Sequence, residues 1–330
     1  MILMKQKKIE EVSQHFWDNE VDEDNKELIE DFLGQEQLSP ATRKQYTSAL
    51  KIFAKWIHDN YKKGKKITDL KPRDARKYQD FLLREGLSPN AVKFKRSAVS
   101  SLCIFIEGYY DDEYPDFRNI FTKAVKGVAK ANVRKKVPLT SAELNKLKAE
   151  LKKRKEWQKL AYLLFSFDTG CRREEARQLL KEVVTYSHFV DGEGNTKKYY
   201  MTHDIRAKGG GTVGKVRTFA FNDETMEAIR KWVETRGEDD CPYVFVSKTK
   251  DGYRQLSANS FNLWCDEFSE ILGKKVHPHL LRSSRATIAI VEEGKSIESV
   301  QGLLGHNSSE TTQIYVVRDK SSDIDELYED

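Results

Sequence analysis

His277-Pro278-His279-Leu280-Leu281-Arg282, then Leu303-Leu304-Gly305-His306, then Thr312-Gln313-Ile314-Tyr315, are the runs on which the reading of this chain turns. His279 and Arg282 are three apart, so they share one side of a helix that Pro278 opens. An isolated His306 follows a glycine, and Tyr315 sits in a polar, Ser- and Thr-rich helix that Ser309 caps. These are the parts of a site that grips a phosphate and attacks it with a phenol oxygen. Such a site needs one more arginine upstream, and Thr169-Gly170-Cys171-Arg172-Arg173-Glu174-Glu175 supplies it.

Each part alone has a plainer explanation. Arg172 in the first turn of a helix opposes the helix dipole unless an anion sits beside it. Glu174 and Glu175 are the local acids, and a phosphate would serve equally. An H-x-x-R pair is frequent by chance, and its ordinary form is a half-buried His with an exposed Arg. His306 at a helix end favours the dipole, and Tyr315 can be an amphipathic core residue with a wet hydroxyl. Lys208 enters the Gly209-Gly210-Gly211 turn and Lys215 leaves it. Either can reach a leaving oxygen, and either can simply keep a turn soluble.

The chain has 330 residues, enough for two domains with ordinary cores. A charged fraction of 33% against a hydrophobic fraction of 38% suits large polar surfaces. The net charge of +5 is mild but uneven. Residues 10–31 and 323–330 are acidic, while 123–155 is strongly basic; such patches suit a polyanionic partner, although taken alone they fit a merely solvated surface better. Cys103, Cys171, Cys241 and Cys265 form no C-x-x-C pair, so zinc and redox motifs are not indicated, and scattered Cys fits a reducing cytoplasm. No apolar run is long enough to span a membrane, and the apolar start is too short for a signal peptide.

Two helix starts echo each other. Ser39-Pro40 and Ser88-Pro89 both offer a serine N-cap followed by proline at the first helical position. Tyr46, Leu50, Phe53, Ala54 and Ile57 then share one face, as do Val92, Val99, Leu102, Cys103 and Ile106. A helix from Pro72 to Gly86 lies between them, carrying Ala75, Tyr78, Phe81 and Leu82. Arg43, Lys44, Lys93, Lys95 and Arg96 lie near the two Ser-Pro starts, where free N–H groups and cations together can clamp phosphate, a reading about even with simple solubility of exposed helix faces. Lys135 and Lys136 end a basic stretch that reads as a linker along a nucleic-acid backbone. Thr140-Ser141-Ala142-Glu143 is a capping box that starts a new domain.

Beyond it the pattern predicts an apolar helix over 157–167 and a helix after Arg172. Three strands follow at 183–190, 197–207 and 215–221, then a helix capped by Asn222 or Asp223. A short extended piece at 243–246 precedes helices beginning at Ser257, Pro278 and Ser296. The expected fold is mainly α with a small antiparallel β-sheet. Its parts are an arm (1–24), a helical domain (25–112), a basic linker (113–138), a second domain (139–317) and a tail (318–330).

Taken in order, T-G-x-R-x-x-E, a K-G-G hairpin, H-x-L-R, L-G-H and Tyr resemble the tyrosine recombinase (phage integrase) family over residues 140–317. The resemblance implies a helical, SAM-like core-binding domain and a catalytic domain that together clamp duplex DNA. It gives Arg172 and Arg282 the role of phosphate-clamping arginines and His279 and His306 those of the two motif histidines. Tyr315 becomes the nucleophile and Glu175 a supporting acid. Lys208 is the better match for the hairpin lysine, with Lys215 its rival. Ser283-Ser284-Arg285 stands where the family often shows a His after the second arginine.

The implied chemistry is attack by Tyr315 on the scissile phosphate, a covalent 3′-phosphotyrosine, and protonation of the 5′ oxygen by Lys208. It requires neither metal ion nor other cofactor. The implied assembly is a homodimer on one site and a homotetramer on two, in the cytoplasm and associated with the nucleoid. Ile324, Leu327 and Tyr328 of the tail are candidates for exchange between protomers. Tyr328 is a poor rival nucleophile among Asp325, Glu326, Glu329 and Asp330. Two other functions fit the same fold: a DNA-binding protein that does not cut, and a type IB topoisomerase.

Overall fold

The helix starts predicted at the two Ser-Pro pairs are real. In this computed structural model, which describes residues 9–61, 64–123, 125–128, 137–207 and 214–305, the chain forms two compact units. The first runs through residue 128 and the second begins at 137 among the described residues.

The first unit contains α1 (Gln14–Asn19), α2 (Glu23–Gly34), α3 (Pro40–Asn60), α4 (Pro72–Arg84) and α5 (Pro89–Tyr109). Ser39 accepts the N–H of Thr42 and Ser88 that of Ala91, so each hydroxyl satisfies one donor that the new helix leaves open. Leu50, Phe53, Ala54 and Ile57 of α3 meet Ala75, Tyr78 and Leu82 of α4 and Val92, Val99, Leu102, Cys103 and Ile106 of α5. All are buried, as the spacing predicted. Phe53 packs edge-on against Tyr78 with ring centres 4.8 Å apart.

Two features of this unit go beyond the expected limits. Trp17 and Val21, placed by sequence in a loose arm, are buried in the same core, and the Trp17 indole donates to Glu30 at 3.0 Å. Phe117, Ile120 and Val125, placed at the head of the linker, are buried there too. Apolar side chains inside a highly charged stretch explain both: composition averaged over the segment hid the anchors.

The second unit opens with α6 (Ser141–Lys153), whose capping box forms as predicted: Thr140 Oγ1 accepts the Glu143 N–H and Glu143 accepts the Thr140 N–H. α7 (Trp157–Thr169) is apolar nearly all round, so it lies inside. It packs on α6, on α9 (Asp223–Arg236) and on α11 (Pro278–Thr287), with α8 (Arg173–Ala176) following it in the chain. α10 (Ser260–Leu272) adds Phe261, which stacks on Tyr162 with ring centres 4.3 Å apart. α12 (Ile297–Leu304) ends the described chain.

The strands are shorter and more broken than predicted. β1 (Tyr200–Met201) pairs with β4 (Ala220–Phe221), and β2 (Ile205–Ala207) pairs with β3 (Lys215–Arg217), both antiparallel. Thr202 and Phe219 bridge the interruption with two hydrogen bonds of 3.0 Å. Of the strand expected at 183–190 only the end pairs: Phe189 bonds to Tyr199 and Lys197, and Val190 bridges Thr196 across the turn between them. Lys181–Thr185 is a 3-10 helix instead, because Leu180 bridges Tyr243 and the Lys181 N–H goes to Pro242, which turns the chain before β-branched Val183 and Val184 can extend. A hairpin of β5 (Val246–Thr249) and β6 (Gly252–Gln255) stands where only a short extended piece was expected.

Helix ends were also displaced. Of the two caps expected for α9, Asn222 is the one used, accepting the Thr225 N–H. Ser257 caps a turn before α10 rather than α10 itself. The helix from Pro278 passes into a π turn over Ile288–Glu292 before reaching Gly294. Among the described residues no helix is long and apolar enough to cross a membrane.

Candidate functional site

The site is built outward from Gly170. α7 ends there in the left-handed conformation, φ +58°, which only a residue without Cβ adopts readily. A side chain at this position would also collide with Leu304. The turn sets Arg172 at the N-cap of α8, where Glu175 closes on it. One carboxylate oxygen accepts the Arg172 main-chain N–H at 2.6 Å, and the other accepts its guanidinium at 2.9 Å. Glu175 is 1% exposed and Arg172 about a third exposed. Of the two acids open to Arg172 in sequence, Glu175 is the one that binds it, and it offsets a cation at the wrong end of the helix dipole.

α11 supplies the second arginine. Pro278 occupies its first position, and the His277 ring nitrogen accepts the Leu280 N–H at 3.1 Å. His279 is exposed, whereas Arg282 is 1% exposed, the reverse of the ordinary half-buried-His pattern. Arg282 Nη1 donates to the carbonyl of Gly170 and Nη2 to that of Leu304 at 2.6 Å. Carbonyls are neutral acceptors, so these bonds orient the fork without cancelling its charge. Ser283, in the stretch 283–285 where the resembled family often shows a His, is buried and donates to the carbonyl of His279 at 2.8 Å.

α12 brings the third segment. It stops at Gly305, φ +63°, one residue before His306. Sequence reasoning missed the residue that holds this end. Arg217 of β3 donates to Leu304 at 2.7 Å and to Leu303 at 2.6 Å, and lies over Phe219 at 4.3 Å. Burial pulls its pKa below the ordinary arginine value, opposed by the nearby Glu175 carboxylate and reinforced by Arg172. Alternation along the strand signals the opposite: it would turn Val216 inward, yet Val216 is 58% exposed and Arg217 is the half-buried member of the pair.

Arg172, Glu175 and Arg282 thus converge through the turn at 170–175, with Arg217 beside them. Lys215 is exposed and paired with Ala207, the residue before Lys208. Lys208, His306 and Tyr315, as well as Lys135 and Lys136, lie outside the described residues. Cys171, next to the site, has its thiol pushed up to about 12 by burial and so stays protonated and unreactive. Among the described residues no cluster of His, Cys, Asp or Glu could hold a metal ion.

On the first unit, Arg43, Lys44 and Lys93 are exposed. Lys95 is partly covered, and burial lowers its pKa. Arg96 is engaged within the protein: it donates to Gln79, to Lys126 at 3.1 Å and to Val125 at 3.0 Å, and lies over Phe121. It pins the chain after α5 to the helices.

Comparison with known proteins adds independent findings. The model of the phage integrase family matches residues 137–322, and that of the phage integrase N-terminal SAM-like domain matches 26–116. A prophage-derived recombinase-like protein of Bacillus subtilis, YomM, is 32% identical over 97% of this chain and 95% of its own length. The tyrosine recombinase XerA of Thermococcus onnurineus is 29% identical over 88% of this chain and 89% of its own. Among solved structures, the Tn1549 transposon integrase in complex with circular intermediate DNA superposes with a TM-score of 0.65, at 17% identity over 92% of this chain and 98% of that one. A lambda integrase dimer bound to a core site gives 0.64, at 18% identity over 89% and 95%.

Proposed function

The chain belongs to the phage integrase family, and on that premise we propose how its residues divide the work of a tyrosine-type site-specific DNA recombinase. Such an enzyme cuts and rejoins duplex DNA through a covalent 3′-phosphotyrosine. Tyr315 is the nucleophile: its phenol oxygen bonds to the scissile phosphorus, and the bond from phosphorus to the 5′ oxygen breaks. Lys208 gives that oxygen its proton, and Lys215, across the hairpin, is the alternative donor. Arg172, Arg282 and His306 place donors where negative charge grows on the phosphoryl oxygens, and His279 assists by orientation or proton exchange. Glu175 holds Arg172. The ester stores the energy of the broken bond, so a free 5′ hydroxyl from a second duplex can reverse the attack.

The observation that carries this assignment is the single turn at 170–175, which binds both arginines: Glu175 takes Arg172 and the Gly170 carbonyl takes Arg282. One turn that holds both guanidinium groups supports their acting together on the charge that grows on a single phosphate. On the DNA itself we assign Arg43, Lys44, Lys93 and Lys95 to the phosphate backbone, together with Lys135 and Lys136. Arg96 supports them by fixing the fold. The working assembly is a dimer on one site and a tetramer on two, a reading supported by the dimer in the lambda integrase complex. Acting on DNA, the protein works in the cytoplasm beside the nucleoid.

The test is covalent capture. The chain is incubated with a pool of nicked suicide duplexes made from genomic fragments, and denaturing gels are scored for protein joined to DNA. Wild type and Tyr328→Phe are expected to give an adduct and Tyr315→Phe none. An adduct from Tyr315→Phe would overturn the assignment, and synapsis of two duplexes separates recombination from topoisomerase-like relaxation.

A further inference from the structure

A helix end leaves its last carbonyls without partners inside the helix, and water or one cation normally satisfies them. At α12 two guanidinium groups share the task. Arg217 takes the carbonyls of Leu303 and Leu304, and Arg282 takes the same Leu304 oxygen. Cations at a helix C-terminus are favourable, yet two of them on one oxygen repel each other and both lose water. Stability alone would be better served by one exposed lysine. Gly305 fits the arrangement closely, since a Cβ there would run into the Arg217 guanidinium.

What the double grip fixes is the end of α12 at Leu303 and Leu304, the latter two residues before His306 in sequence. The two holders come from functionally distinct places. Arg282 sits on the helix with His279, and Arg217 sits on β3, whose partner strand β2 runs straight into Lys208. We propose that Arg217 is a positioning residue for strand cleavage: from β3 it fixes the end of α12, which His306 follows in the chain. This rests on the reading of His306 given above. Arg217 touches main-chain carbonyls rather than substrate, so it acts through its neighbours.

Arg217→Gln tests this by two independent readouts on the full chain. Amide hydrogen exchange at residues 303–305 reports the grip itself. Protection there is expected to fall about tenfold or more, while the amides of α7 keep theirs. Equal exchange in both proteins overturns the grip, whatever the chemistry. Single-turnover cleavage of a captured nicked duplex reports the role. The variant is expected to cleave bound DNA about 10- to 100-fold more slowly with its Kd for the duplex within about threefold. In a His306→Ala background the same change is expected to cost less than about threefold, because the group being positioned is gone. A full-size loss in both backgrounds, or none in either, overturns the positioning role. Absence of any adduct from wild type would instead remove the catalytic reading, and exchange alone would decide whether Arg217 holds α12.

Discussion

The buried carboxylate of Glu175 receives both the main-chain N–H and the guanidinium of Arg172. One side chain therefore fixes where α8 begins and where its arginine points. Glu175→Gln keeps the shape but removes the charge facing the cation. It is expected to lower stability by about 1–3 kcal/mol, read by urea unfolding, and to slow cleavage more than it weakens DNA binding. Cleavage at the wild-type rate would show that Arg172 needs no such holder.

The two glycines of α12 predict opposite outcomes. Gly305 is left-handed and crowded by Arg217, so Gly305→Ala is expected to destabilise by about 1–2 kcal/mol from backbone strain alone. Gly302 lies inside the helix with nothing near its missing Cβ. Gly302→Ala is expected to stabilise by about 0.5–1 kcal/mol. Thermal melts of the two variants check the contrast, which fails if both shift the same way.

Trp17 is 3% exposed and belongs to the first unit's core. Trp17→Ala is expected to cost that unit about 3–5 kcal/mol, seen as an earlier transition in urea. A chain lacking residues 1–24 is expected to do the same. An unchanged transition in both would make the early residues an ornament rather than a part of the core.

Glu143 predicts a pH dependence. Burial opposes its ionisation, but Lys274, at 2.7 and 3.0 Å, and the Thr140 N–H outweigh it and hold its pKa below the ordinary glutamate value. A carboxyl more acidic in the folded than in the unfolded chain stabilises the fold at neutral pH. That contribution disappears as pH falls through the unfolded and then the folded value. Glu143→Gln is therefore expected to be less stable than wild type at neutral pH, with the gap closing as pH falls through and below the ordinary glutamate range. A gap that stays constant across this range would assign the effect to packing instead.

Local chemistry made much of this molecule legible. Ser39, Ser88 and Thr140 announce helices because a cap and its donor lie three residues apart. The buried faces of α3 and α5 follow from periodicity for the same reason. Residues 183–185 misled because the preceding Leu180 and Lys181 bond to Tyr243 and Pro242, more than fifty residues onward, and no short window contains that contact. Arg217 stayed hidden likewise: its partners lie 86 and 87 residues away. The site's order could be read, since motif residues keep their sequence. Its holders could not, because main-chain oxygens leave no letter in the sequence.

That anonymity of the acceptors bears on how such a site can change through descent. Arg282 is steadied by the backbone of Gly170 and Leu304, and every amino acid carries the same peptide oxygen. Drift at those two positions cannot delete the partner. It can only bend the path that presents it, and the missing methyl at Gly170 is what keeps that path open.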